Sequence, residues 1–443
     1  MDRALSALYQ GHLADRLARL TPSLAAAGYD GVVIHSGSLE KRTVFDDQYW
    51  PLRTVPYFEQ WAHLGWPECV VHVVPGHKPK LYAARDQNFW ERPTEPDWDF
   101  LASAFEIVEV KGVGGVAEKV RGLSRTAYVG ENGERAADWD VATQDWCPTP
   151  VMNALDELRV HKTPYEIRCL AEANRIASRG HAAVRDAFLG GLRSELLLHL
   201  LFLETTQQDD SETPYKNIVA IGRAASILHH VHYTKGEQEP RSLLLDAGAT
   251  FCGYASDITR TYVGPGSDSA TQQFRALVSG LERLQQALVQ SVKVGLPYEA
   301  LHDEAHDRLA ALLVESGVVK MSVEECVASG VSRLFLPHGL GHSLGLTCHD
   351  VGCAKIKPRP ENPWLRNTRT IEPGQVFTIE PGLYFIDTLM AQLEAGPHRS
   401  QVDWSSVRAL KDYGGIRIED DVVVLPSGSV TTSDNLTRAV LPT

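Results

Sequence analysis

The chain has 443 residues, 43% of them hydrophobic and 22% charged, and a formal net charge of −13. Such a length predicts two domains rather than one, with ample core to bury. The acidic balance argues against a nucleic-acid or anionic-membrane partner, and no run approaches the roughly 18 apolar residues of a membrane span.

Seven cysteines (Cys69, Cys147, Cys169, Cys252, Cys326, Cys348 and Cys353) are scattered without a C-x-x-C pair. That fits a reducing compartment better than a disulfide framework. The first twenty residues carry charge throughout and lack a signal peptide's apolar stretch, so the cytoplasm is the expected location. Residues 4–27 place leucine and alanine at helical spacing as far as Gly28, and residues 31–37 read as a buried strand. Residues 38–66 form a loop rich in aromatics, among them Phe45, Trp50, Trp61 and Trp66. A loop of that length is often functional. Further strands are predicted at 69–74, 80–84 and 127–129, which gives a small α/β domain over residues 1–158.

The second domain, residues 159–443, opens on a helix signal. Thr163 caps, Pro164 suits the first helical position and Glu166 closes a capping box. The helix runs to about residue 188, where Gly190 and Gly191 end it. Helices are also predicted at 195–206, 270–293 and 297–317, with strand-like runs between and after them. The fold class is α+β.

Residues 241–249 and 257–263 are two strand patterns joined by a turn containing Gly253. Folded about its midpoint, this hairpin sets Asp246 directly across from Asp257. Opposed like charges destabilise a sheet, and Asp246 sits among leucines where an unpaired carboxylate is costly. A cation between them resolves both problems. Glu380 ends an apolar strand before Pro381 and Gly382. In residues 414–421, Ile416 and Ile418 alternate with Arg417 and Glu419. Residues 337–350 hold His338, His342 and His349 among Gly339, Gly341 and Gly345, which suggests a tight strand or loop carrying imidazoles into a cavity. Carboxylates with imidazole form the mixed N/O set that binds a pair of divalent metals, which can hold a bridging hydroxide as nucleophile.

In this order the motifs resemble the pita-bread metallopeptidases, the methionine aminopeptidase, aminopeptidase P and prolidase group. The stretches PYKNIVAIG, RSLLLDAG, PHGLGHSLGL with the following HD, TIEPGLYFIDTL and GGIRIED are most similar to bacterial Xaa-Pro dipeptidases, the branch that includes the organophosphorus acid anhydrolases. The resemblance implies a C-terminal pita-bread (creatinase/aminopeptidase-like) catalytic domain after a smaller α/β domain. It implies two divalent ions, most simply Mn2+ with Co2+ or Zn2+ as alternatives, on Asp246, Asp257, His342, Glu380 and Glu419. Asp257 and Glu419 bridge them, and Glu380 is the general acid and base. His349 and Arg417 face the developing gem-diolate, and His338 joins them at the catalytic centre. His229 and Tyr215 line the substrate pocket, with His232 as the alternative to His229. Arg366 captures the free carboxylate of a dipeptide. The loop at Asp46 and Asp47 reaches a partner subunit's site, which implies a homodimer. The reaction implied is hydrolysis of Xaa-Pro dipeptides, with phosphotriester hydrolysis as a side activity. The rivals are aminopeptidase P, acting on longer peptides, and a metal-free binding module. The His302 to His306 segment mimics a zinc motif but reads as structural or solvated, and Cys348 and Cys353 read as packing.

Overall fold

In the computed structural model, which describes residues 3–85, 90, 94–239, 241–352, 356–426 and 432–441, the first helical pattern folds as Arg3–Ala26. It buries Leu5, Tyr9, Leu13, Leu20 and Leu24 on one face. The chain divides into two compact units, Met1–Arg168 and Cys169–Thr443.

In the first unit, strands β1 (Gly31–His35), β2 (Val70–Val73), β3 (Lys80–Arg85), β4 (Glu106–Lys111) and β5 (Thr126–Val129) form one sheet ordered β4-β3-β2-β1-β5. Strand β4 escapes sequence reading because EIVEVK is half charged. It lies at the sheet edge, where such residues face water. The aromatic loop splits in two. Phe58, Trp61 and Trp66 are buried around a short helix, Pro56–Glu59, whereas Phe45 is 95% exposed and Trp50 54% exposed. The capping box forms: Glu166 Oε2 accepts from the Thr163 N–H at 2.7 Å, and Thr163 Oγ1 from the Glu166 N–H at 3.4 Å. The helix Pro164–Leu189 follows.

In the second unit, β6 (Ile218–Ile221), β7 (Ser242–Asp246) and β10 (Thr259–Val263) form a sheet ordered β10-β7-β6, and β8 (Thr250–Phe251) with β9 (Tyr254–Ala255) forms a small hairpin. Strands β11 (Val376–Ile379), β14 (Asp420–Val424) and β15 (Ser433–Asn435) form another sheet, and β12 (Gly382–Tyr384) pairs with β13 (Gly415–Arg417). Helices Ser269–Gln290 and Tyr298–Glu315 share a core with these strands, where Phe274, Leu277, Leu281, Leu288, Leu301 and Leu309 join Ile379, Ile416 and Val422. Each buried leucine contributes roughly 1.5–3 kcal/mol over exposure. The helices thus hold firm the strands whose ends carry Glu380 and Glu419. His302 and His306 are 3% and 1% exposed within this layer, on the buried face of their helix. No helix among the described residues is long and apolar enough to cross a membrane.

Candidate active site

A fully buried strand, β7, delivers Asp246 at its end. The turn beyond it has Cys252 at φ 50° and Gly253 at φ 80°. Two successive positive φ values define a type I′ turn, whose twist matches that of a hairpin. It fixes the pairs Phe251 with Tyr254, Thr250 with Ala255 and, further out, Asp246 with Thr259. Thr259, not Asp257, is therefore directly across from Asp246. The expected opposition placed the turn centre one residue too early. The pairing shift is two residues, an even number, so Asp257 keeps its face of the strand.

The histidine stretch runs antiparallel to β11. Leu344 N–H donates to Val376 O at 3.0 Å, Thr378 N–H to His342 O at 2.9 Å and Glu380 N–H to Leu340 O at 2.8 Å. This register brings His342 beside Glu380. Residue 341 must be glycine, because a Cβ there would overlap the Thr378 carbonyl oxygen and the Tyr298 hydroxyl. His342 Nδ1 lies 3.0 Å from the Ser343 carbonyl oxygen and so carries a proton. Its Nε2 then faces Asp257 Oδ2 at 3.4 Å and Glu380 Oε1 at 3.7 Å.

Thr259 ties the hairpin to the last motif. Its carbonyl accepts from the Glu419 N–H at 3.1 Å, and its hydroxyl donates to Glu419 Oε2 at 2.6 Å. Arg417 is buried with all three nitrogens engaged: Nε to Thr259 Oγ1 at 3.1 Å, Nη1 to the Tyr384 hydroxyl at 3.0 Å and Nη2 to Asp246 Oδ2 at 2.5 Å. Tyr384 in turn lies 2.8 Å from His338 Nε2, while His338 Nδ1 lies 2.8 Å from the Gly339 carbonyl oxygen. Nδ1 therefore donates and Nε2 accepts the tyrosine proton. Burial, then the Arg417 charge, pushes His338 down to about 3, so it is neutral.

Asp257 accepts from the Tyr215 hydroxyl at 2.6 Å and from Cys348 Sγ at 2.9 Å. Reading Cys348 as packing is thus corrected: its thiol is a donor on the cavity wall, held protonated by burial and the Asp257 charge. Cys353 lies outside the described residues.

Asp246, Asp257, His342 and Glu419 are all buried. Burial raises the Asp246 and Glu419 carboxyls above their usual range, with Asp257 adding to both and Arg417 opposing. Glu380 is raised by burial to about 7 against the pull of His342. Burial would also raise Asp257, but hydrogen bonds from His342, Cys348 and Tyr215 lower it. Burial would lower His342, but Asp257 and Glu380 lift it to about 9. Ligand atoms of Asp257, His342 and Glu419 lie within 4.8 Å of one another, and Asp246 Oδ1 is buried with no hydrogen-bond partner. Crowded carboxylates, one imidazole and an orphaned oxygen suit divalent cations and ill suit any neutral ligand.

These groups line one cavity of about 790 Å3, together with Tyr215, His229, His338, His349, Arg366 and Arg417. His232 is not among the lining residues. Asp46 lies in the first unit on an exposed loop, where its Oδ1 accepts from the Asp47 N–H at 2.7 Å. Sequence reasoning missed Thr259, Tyr384 and the polar role of Cys348. The first two flank recognised motif residues at alternating strand positions, a weak signal that was present.

Residues 168–426 match metallopeptidase family M24, and residues 7–156 match the Xaa-Pro dipeptidase N-terminal domain. The chain is 41% identical over 436 residues to the Xaa-Pro dipeptidase of Pseudoalteromonas translucida (strain TAC 125), covering 96% of this chain and 97% of that one. It is 40% identical over 445 residues to the Xaa-Pro dipeptidase of Aeromonas hydrophila, covering 98% of each. Among solved structures it is similar to E. coli aminopeptidase P with the inhibitor Pro-Leu, with a TM-score of 0.73, 23% identity and coverage of 97% of this chain and 95% of that one. That likeness shows the fold: α+β, a pita-bread unit after a smaller α/β unit.

Proposed function

The chain belongs to the Xaa-Pro dipeptidases of metallopeptidase family M24, and we propose that it cleaves Xaa-Pro dipeptides with two divalent ions held by Asp246, Asp257, His342, Glu380 and Glu419. The observation that carries this reading is the convergence of four carboxylates and one imidazole on a cavity that also holds a guanidinium, Arg366. When bound, such ions polarise the peptide carbonyl and acidify a water. Asp257 and Glu419, which share one ligand cluster with His342, would help hold both ions. Mn2+ is the favoured ion because hard oxygen donors dominate the set, with Co2+ and Zn2+ as alternatives.

Glu380 serves as general base and acid. It accepts a proton and returns it, here to the departing proline nitrogen. His349, open to the cavity, donates towards the carbonyl oxygen as charge develops. Arg417 and His338 line the cavity and are also held by protein partners. Arg417 orients Asp246 through Nη2, and His338 is held against the Tyr384 hydroxyl through Nε2. Arg366 binds the dipeptide carboxylate through paired charge-assisted hydrogen bonds, and Tyr215 and His229 shape the pocket. Slow phosphotriester hydrolysis accompanies this reading. A cytoplasmic homodimer completes it, with the Asp46 loop reaching the partner subunit. The exposure of Val44 at 83% and Phe45 at 95% beside Asp46 supports that interface.

The test is hydrolysis of an Xaa-Pro dipeptide and the matching Xaa-Pro-Xaa tripeptide, after chelation and after Mn2+ is restored. Metal-dependent cleavage of the dipeptide alone is expected. Preference for the tripeptide would move the assignment to aminopeptidase P. Cleavage of neither, with metal bound, would sink it.

A further inference from the structure

Beside the carboxylates lies a donor set of different chemistry. Cys348, His349 and His342 offer ligand atoms that all lie within 4.8 Å of one another. Cys348 Sγ reaches Asp257 Oδ2 at 2.9 Å, and His342 Nε2 faces that same oxygen at 3.4 Å. The His349 ring stands edge-on to His342 with centroids 4.4 Å apart. Cys348 is half-buried, His349 is exposed and both line the cavity, so an ion entering from solvent meets them.

Two imidazoles and a thiolate suit zinc and cadmium, whereas the carboxylate set suits a hard ion such as manganese. The two sets share His342. Its Nδ1 is committed to the Ser343 carbonyl, so only Nε2 can bind a metal. One lone pair serves one ion, and occupation of either position at His342 excludes the other.

We propose that His342, Cys348 and His349 form a separate position for a thiophilic divalent cation, Zn2+ or Cd2+, whose occupation withdraws His342 from the carboxylate centre and switches the enzyme off. The exclusion rests on the carboxylate reading above, but the thiolate position does not. Binding replaces the Cys348 S–H bond and the Nε2–H bond of protonated His342 with bonds to the metal and releases both protons to solvent, with no change of oxidation state.

The test uses the full chain after chelation, titrated with Cd2+. It follows thiolate-to-cadmium absorption in the ultraviolet and, in parallel, Mn2+ binding by the magnetic-resonance signal of free Mn2+. The wild type is expected to show a band saturating at a single cadmium, absent from Cys348→Val and Cys348→Ser, which both keep the other six cysteines. Cadmium displaces Mn2+ from the wild type, and each variant needs at least about tenfold more. A band of wild-type size in both variants overturns the thiolate position. A Cys348-dependent band without Mn2+ displacement overturns the exclusion. A Cys348-dependent band in a chain that never binds Mn2+ upholds the thiolate position and overturns the carboxylate reading instead. A second measurement needs no variant: Cd2+ should protect Cys348 of the wild type from alkylation, mapped by peptide mass, and unprotected Cys348 at saturating Cd2+ overturns the proposal.

Discussion

Arg417 Nη2 lies 2.5 Å from Asp246 Oδ2, while Asp246 Oδ1, equally enclosed, has no hydrogen-bond partner. The guanidinium therefore satisfies one oxygen of a buried carboxylate and leaves the other unpaired. Removing one partner of a buried ion pair costs about 3–5 kcal/mol, because the other charge stays behind. Arg417→Met should lose that much stability when metal-free, and added Mn2+ should restore part of it by mass action. Urea unfolding with chelator and with Mn2+ measures both. Unchanged metal-free stability would remove Arg417 from the positioning role.

Arg366 is assigned to the substrate rather than to the metal, and a split in kinetics separates the two. A hydrogen bond to a charged group contributes about 1.5–3 kcal/mol. Arg366→Met should therefore raise KM for an Xaa-Pro dipeptide at least about tenfold. The corresponding Xaa-Pro amide, which lacks the carboxylate, should be cleaved equally by both proteins. An equal loss on both substrates would assign Arg366 to the structure of the cavity.

Local features were legible in the sequence because their physics is local. The Thr163 to Glu166 capping box and the strand alternation around Glu419 need only a few neighbouring residues. The histidine stretch and the ends of β7 and β11 also announced which side chains approach one another. Pairing was harder. The Asp246 register depends on where two positive φ values fall, and a cysteine at one of them, Cys252, gives little warning. The hydrogen bond from Cys348 to Asp257 spans 91 residues and depends on the fold being complete. Tyr384, which joins Arg417 to His338, is hidden for the same reason.

In the first unit, Glu68 has a pH signature of its own. Burial would raise its carboxyl, but hydrogen bonds from His35, Arg135 and Ser38 hold it down to about 2 from an ordinary 4.5. Arg135 Nε is 2.8 Å away and His35 Nε2 is 3.2 Å away. A lowered folded-state pKa stabilises the protein above the unfolded value, and that contribution fades as pH falls through the folded one. Glu68→Gln should thus destabilise by on the order of 2–3 kcal/mol at neutral pH. The gap to wild type should narrow between pH 4.5 and about 2. Thermal unfolding of both proteins across that range checks it, and a gap independent of pH would refute the charge argument.

Gly253 tests whether the turn sets the register on which the site depends. At φ 80° it occupies the left-handed region, which costs a residue with Cβ roughly 1–2 kcal/mol. Gly253→Ala should lose about that much stability, while Gly253→Asn should lose less, because asparagine tolerates that backbone. Mn2+ affinity should follow the same order. A strained turn lets the hairpin sample other registers, and a slip of one residue sends Asp257 to the opposite face of its strand. Isothermal titration of the three proteins reads this directly. Equal Mn2+ affinity despite unequal stability would mean that the pairing of Asp246 with Thr259 is held by Glu419 and Arg417 rather than by the turn.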